Sequence, residues 1–375
     1  MPAIAMAGLY IHIPFCKSRC IYCGFFSTTS PELQDRYVDA LCKEMSGRRG
    51  DISTVYIGGG TPSQLSLANM RRLTDRIFHV YNVDDDAEIT VECNPDDISN
   101  EYVAMLRQSG VNRISMGAQT FADDRLRFLH RKHTAKQTED AVSILRDAGI
   151  GNISIDLMFG FPGETIEEWN KDIDDALALD VEHISAYSLM FEENTPLKHM
   201  LDNGEISETD DNTSLAMYDT LIDRLVEAGY EHYEISNFAR PGRRSRHNGS
   251  YWKGIPYIGI GAGAHSYDLK TRRWNVCNLV EYIKAMESGT DCYDYEIIDD
   301  NTRFNETVMT SLRTVDGLDI RIISEQFGKD KAACLLDSAG RQIRNGTLAY
   351  TDGILRLTRK GLYISNMVIS DLMIV

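Results

Sequence analysis

Tyr10-Ile-His-Ile-Pro-Phe-Cys-Lys-Ser-Arg-Cys-Ile-Tyr-Cys-Gly-Phe25 places three cysteines, Cys16, Cys20 and Cys23, directly behind a short apolar segment that reads as a strand. Their spacing is C-x3-C-x2-C, and a thiolate trio this tight can hold a metal centre. Structural zinc sites pair two C-x2-C units or add histidines at set spacing, and no second pair follows here. A [4Fe–4S] cluster takes one thiolate per iron, four in all. Three thiolates would hold such a cluster and leave one iron open to another ligand.

The strand before the cysteines is the first of a series. Leu9–Ile13, Thr54–Ile57, Glu88–Glu92, Arg113–Met116, Asn152–Met158 and His183–Leu189 are apolar, β-branched runs. Helical patterns lie between them. Thr134-x-x-Gln137 and Thr165-x-x-Glu168 are capping boxes. The first precedes Ala141, Val142, Leu145 and Ala148, and the second Ile166, Trp169, Ile173 and Leu177, at helical spacing. Strand and helix in alternation predict a parallel sheet with right-handed crossovers. Six units fall short of a closed eight-stranded barrel. The expected fold class is therefore α/β, a partial (β/α)6 barrel.

Beyond the sixth strand, residues 192–213 read as a polar connection, and a helix is expected over roughly 214–228. A region rich in glycine and aromatics spans about 230–285, and 286–302 reads as a linker. Barrel and extension are thus expected over 1–290. Residues 303–375 are expected to form a small α+β, winged-helix-like module: two or three helices, a hairpin of Thr347–Thr351 and Ile354–Thr358 around Asp352-Gly353, and a last helix.

The chain has 375 residues, 43% hydrophobic and 25% charged, with a formal net charge of -17. That balance disfavours phosphate neutralisation, so nucleic acid is not an expected partner. Eight cysteines without a disulfide pattern, and no apolar run of about 18 residues, point to a cytoplasmic protein. The opening Met1–Tyr10 is apolar but lacks the charged start of a signal peptide, and Met6 would serve equally well as a beginning.

Other polar candidates fall at the C-terminal ends of the expected strands, where barrel sites assemble. Gly58-Gly-Gly-Thr-Pro62 follows the second strand. It lacks the Lys-Ser/Thr of a phosphate-binding loop but lets backbone approach a ligand closely. Glu92 ends the third strand, Gln119 lies just past the fourth, and Asp156 sits within the fifth. His12 alternates with apolar neighbours on the first strand and is expected to point into the barrel as a supporting group. Each is weak alone, but their shared end of the barrel makes them one candidate site.

C-x3-C-x2-C after Tyr-x-His-x-Pro-Phe, followed by Gly-Gly-Gly-Thr-Pro, resembles the radical S-adenosylmethionine (SAM) superfamily. The resemblance implies a [4Fe–4S] cluster on Cys16, Cys20 and Cys23, with SAM on the open iron and split by one electron into methionine and a 5′-deoxyadenosyl radical. It also implies SAM contacts at Tyr10, Tyr22, Gly59, Gly60, Thr61, Glu92, Gln119, Arg131 and Asp156.

Within that superfamily the chain is similar, from about Gly8 to its end, to the branch of oxygen-independent coproporphyrinogen III dehydrogenase and the HemW-type heme chaperones. The dehydrogenase pattern has a further cysteine two residues after the third ligand, where this chain has Phe25. It also has an extension before the Tyr-x-His motif, whereas Tyr10 is near the start here. His247-Asn-Gly-Ser-Tyr-Trp252 matches the chaperones' H-N-x-x-Y-W. Neutral imidazole is a common heme ligand, so the resemblance implies that His247 takes part in heme capture, with Tyr251 and Trp252 against the ring. Arg240, Arg243, Arg244 and Arg246 would either pair with heme propionates or form an exposed basic loop. The resemblance thus implies a heme chaperone delivering to acceptor hemoproteins such as respiratory ones, with dimerisation and membrane proximity compatible. Its rival is oxidative decarboxylation of coproporphyrinogen III propionates.

Overall fold

The computed structural model describes residues 7–374; the expectations about a signal peptide and an alternative start fall on Met1–Met6, outside the described residues. Six strands run parallel in chain order: β1 (Ala7–Ile13), β2 (Asp51–Gly59), β3 (Asn82–Cys93), β4 (Arg113–Gln119), β5 (Ile153–Phe159) and β6 (His183–Ser188). The main crossover helices are Gln34–Ser46, Leu67–Val80, Asn100–Gln108, Ala135–Asp147 and Ile166–Ala178. Both capping boxes form as expected: each threonine accepts from the backbone three residues on, and Gln137 and Glu168 reach back. The architecture is the partial barrel that the alternation predicted.

Side chains alternate across a strand, and this sheet divides its two faces by polarity. Leu9, Ile11, Val55, Ile57, Val91 and Ile155 are fully buried in the main core. The other face is polar. Register sets Thr54 beside Glu88, Thr90 beside Arg113, Glu92 beside Ser115, and Asp156 beside Ser185. The apolar face is covered by helices, which leaves polar groups to line the inside of the barrel.

Short strands extend the sheet at both edges. Antiparallel β7 (Glu231–Glu234) and β8 (Asn237–Ala239) follow β6. Beside β1 lie β9 (Tyr257–Ile260), β10 (His265–Tyr267), β11 (Thr271–Asn275) and β12 (Tyr293–Ile297), completing a 12-stranded sheet. The linker expected over 286–302 is corrected by β12, which pairs with β11. Every residue of Tyr293-Asp-Tyr-Glu-Ile297 is exposed, so this edge strand has no buried face to announce it. The polar connection likewise holds a helix, Pro196–Asp202, capped by Thr195. The next helix starts at Asp211, earlier than expected, because Asp210 caps it.

The C-terminal region has its own core, including Phe304, Val308, Ile323, Leu335 and Leu355. Helices Asp300–Leu312, Ile320–Phe327 and Lys329–Arg344 surround a small sheet of β13 (Leu318–Asp319), β14 (Leu348–Thr351) and β15 (Ile354–Leu357). At the hairpin tip Asp352 and Gly353 both take positive φ, 55° and 83°, as a two-residue type I′ turn requires. This region is tied to the barrel by Arg313, which donates to Glu234 at 3.1 Å, and by the Val315 amide on the Tyr233 carbonyl at 3.0 Å. Among the described residues no helix is long and apolar enough to cross a membrane.

Candidate functional site

The cysteine loop leaves β1 and is pinned at several points. Cys16 N donates to the Thr28 carbonyl at 2.8 Å, Thr28 N to Pro14 at 2.7 Å, and Ile21 N to Leu129 at 3.3 Å. Ile21 sits in a small apolar cluster with Leu129, Met158, Phe161, Leu189 and Leu197. Gly60 runs directly beneath the loop: a Cβ there would lie 2.9 Å from Cys16 Sγ and from the Pro14 carbonyl carbon. Thr61 Oγ1 donates to Cys16 Sγ at 3.4 Å. The glycine loop therefore serves close approach between β1 and β2.

Arg131 fastens the opposite wall. It donates to Cys20 Sγ at 3.7 Å, the Asn94 side-chain oxygen at 2.9 Å and the Gly117 carbonyl at 2.7 Å. One guanidinium thus joins the cysteine loop to the ends of β3 and β4. Glu92 accepts from Tyr56 Oη at 2.7 Å and from the Gly59 amide at 3.0 Å. Burial pushes its carboxyl up to about 7 against those bonds. Burial likewise raises Asp156 to about 6. The two raised carboxyls share one cavity with the three thiols.

One cavity at the C-terminal ends of the strands is lined by Cys16, Cys20, Cys23, Tyr22, Gly59, Gly60, Thr61, Glu92, Gln119, Arg131 and Asp156. Tyr10 lies in the adjoining chamber, which shares Phe25, Gly59 and Glu92 with it. His12 is nearly buried; it donates from Nε2 to the Phe26 carbonyl at 3.1 Å and accepts from Tyr10 Oη at 3.0 Å.

His247 lies elsewhere, where the helix Arg246–Trp252 closes the N-terminal end of the barrel. The Arg246 and His247 amides donate to Glu88 on β3 at 3.1 and 3.0 Å. The imidazole is 1% exposed and stacks on Tyr56 at 5.1 Å. Nδ1 is hydrogen-bonded to the Thr54 hydroxyl at 2.8 Å and Nε2 to that of Tyr251 at 2.9 Å. Burial, with Arg113 nearby, lowers it to about 3. An iron at either nitrogen would have to displace one of these partners. Of the neighbouring arginines, Arg240 pairs with Asp180, Arg244 with Glu231 and Asp316, and Arg246 with Asp86.

Residues 10–176 match the model of the radical SAM superfamily, and residues 298–364 that of the HemN C-terminal domain. The chain is 35% identical to the heme chaperone HemW of Bacillus subtilis, over 97% of this chain and 98% of that one. It is 36% identical to the heme chaperone HemW of Lactococcus lactis, over 96% and 95%. The chain belongs to the HemW family of radical SAM proteins. Its fold matches the coproporphyrinogen III oxidase HemN of Escherichia coli with a TM-score of 0.85, covering 98% of this chain and 90% of that one at 23% identity.

Radical SAM membership implies a [4Fe–4S] cluster and SAM, and one cavity gathers the three thiols with the glycine loop and the polar strand ends. Among the described residues no three ligating side chains converge on one metal ion. The trio instead lines the cavity wall, as a cluster with one thiolate per iron requires. Cys16 and Cys20 accept bonds from Thr61 and Arg131, which lie outside the cysteine loop and tie it to neighbouring strands. Cys16, Cys20 and Cys23 would hold such a cluster, and the chemistry it would supply when bound is one-electron cleavage of SAM.

Sequence reasoning missed several groups that support the cavity's lining residues. Tyr56 orients Glu92, and Asn94 holds Arg131. Arg113 is 1% exposed, and its Nε and one terminal nitrogen have no hydrogen-bond partner. The signal for Arg113 was present as a lone cation opening an otherwise apolar strand.

Proposed function

We propose that this HemW-family chain is a heme chaperone, binding heme and passing it to acceptor hemoproteins, respiratory ones among them. The observation that carries the reading is the likeness along nearly the whole chain to proteins named heme chaperone HemW. Position 25 supports it: Phe25 stands where the dehydrogenase pattern has cysteine, and its ring is 72% exposed beside the cysteine loop. Cys16, Cys20 and Cys23 hold the cluster. Tyr10, Tyr22, Gly59, Gly60, Thr61, Glu92, Gln119, Arg131 and Asp156 form the SAM pocket. His247 serves heme capture through Tyr251, which it holds in the wall of the adjoining chamber. A homodimer and work close to a membrane, in the cytoplasm, complete the proposal.

The test is twofold. Reconstituted protein loaded with hemin should pass it to an apo-hemoprotein, read by the acceptor's absorbance. Anaerobic incubation with SAM, a reductant and coproporphyrinogen III should yield no protoporphyrinogen IX. Turnover in the second assay would replace the chaperone with the dehydrogenase.

A further inference from the structure

The motif Ile258-Gly-Ile-Gly-Ala-Gly-Ala-His-Ser-Tyr267 is not absorbed by the cluster cavity. It delivers His265 to a separate chamber of about 400 Å³ next to the cysteine loop. The walls are aromatic: Phe25, Phe26, Tyr251 and Tyr257. Two histidines face it. His12 has both ring nitrogens bonded. His265 is exposed on β10, and within the described residues neither of its nitrogens has a hydrogen-bond partner; the ring only stacks on Trp274, at 5.9 Å. Burial, helped by Arg272, lowers its proton affinity, so the ring is neutral at physiological pH.

We propose that His265 is the iron ligand for a heme held in this chamber, with the exposed Phe25 ring against the macrocycle face. This rests on the heme-chaperone reading. A neutral imidazole with a free nitrogen is the side chain such iron takes, and His247 offers none without breaking a buried bond. The chamber is too small to enclose a whole tetrapyrrole, and the open side at Phe25 leaves part of the ring in solvent. A carrier that must release its cargo is served by such half-burial.

The full chain with its cluster reconstituted is titrated with hemin and read by the Soret band. Wild type should show imidazole-ligated heme. His265→Ala should bind about tenfold more weakly or worse, with a shifted band that added imidazole restores. His265→Met, which keeps an iron ligand of another kind, should shift the band with a smaller loss. Phe25→Ala should weaken binding several-fold, about 1 kcal/mol, and leave the band in place. Far-UV circular dichroism and cluster absorbance confirm that each variant folds. Hemin binding by wild type with an unchanged affinity and spectrum in His265→Ala and His265→Met would overturn the assignment alone. No hemin binding by wild type would overturn the chaperone reading beneath it.

Discussion

The cysteine loop and the Arg246–Trp252 helix cap opposite ends of one barrel, and their histidines and thiols are treated in opposite ways. At the C-terminal end, partly exposed thiols surround a cavity and are steadied by groups that reach them from other strands. At the N-terminal end, His247 is fully buried, with both nitrogens satisfied and a tyrosine against its face. The first arrangement keeps ligand atoms available. The second makes a side chain part of the fold. On the proposed reading, a motif residue at the plug acts through what it positions, which here is Tyr251.

The sharpest way to break this contrast is at the thiols. Cys20→Ala should abolish cluster assembly, read as loss of iron and of the broad visible absorbance after anaerobic reconstitution. Thermal stability of the cluster-free protein should change little, because Arg131 keeps its bonds to Asn94 and Gly117 when that sulfur is removed. A cluster retained at wild-type occupancy would refute the assignment of the trio.

The opposite result is expected at the plug. His247→Ala removes a buried ring and orphans the Thr54 and Tyr251 hydroxyls, a cost of about 3 kcal/mol. Cluster content should stay normal. The wild-type ring also makes stability depend on pH. Its folded pKa lies near 3 against an ordinary 6.5, so the unfolded chain binds the extra proton between those values. Stability contributed by this group is full above about 6.5 and falls as pH drops towards 3, by roughly 5 kcal/mol in all. Denaturant titrations of His247→Ala should show a flatter acid limb than wild type. Equal limbs would mean that the ring is accessible in solution.

Glu92 should show the reverse sign. Its folded pKa is about 7 against an ordinary 4.5, so here the folded state holds the extra proton. Stability is therefore full below about 4.5 and declines as pH rises to 7, by about 2 kcal/mol once partial solvent access is allowed for. In cluster-free protein, Glu92→Gln should remove that decline and be the more stable at pH 8. If the two proteins lose stability in parallel between pH 5 and 8, another group carries the dependence.

The two ends also differ in how far they could be read without coordinates. The cavity positions were legible because each polar residue stands out against apolar neighbours: Glu92 after Ile89–Val91, Asp156 between Ile155 and Leu157. Thr134 and Thr165 announced their helices through the capping boxes that the structure forms. The plug was illegible for a physical reason. Arg243–Arg246 reads as a solvated loop, yet Glu88 draws the start of that helix into the barrel from 158 residues away in sequence. Periodicity reports one element at a time and carries no trace of such a partner. Edge strand β12 was lost likewise, since with both faces in water its composition matches that of a linker.

Phe25 provides the smallest effect on stability and the finest test of the contrast. A ring 72% exposed contributes little to the fold, so Phe25→Ala should leave stability within about 0.5 kcal/mol of wild type. His247→Ala, at the other end, should cost several times more. The aromatic that the fold does not need is then the one placed for contact, beside the cysteine loop and at the mouth of the His265 chamber. Equilibrium denaturation of the cluster-free variant measures this directly. A loss as large as that of His247→Ala would show that Phe25 packs inward in solution, and the distinction between an open end and a plugged end would fail at its most exposed residue.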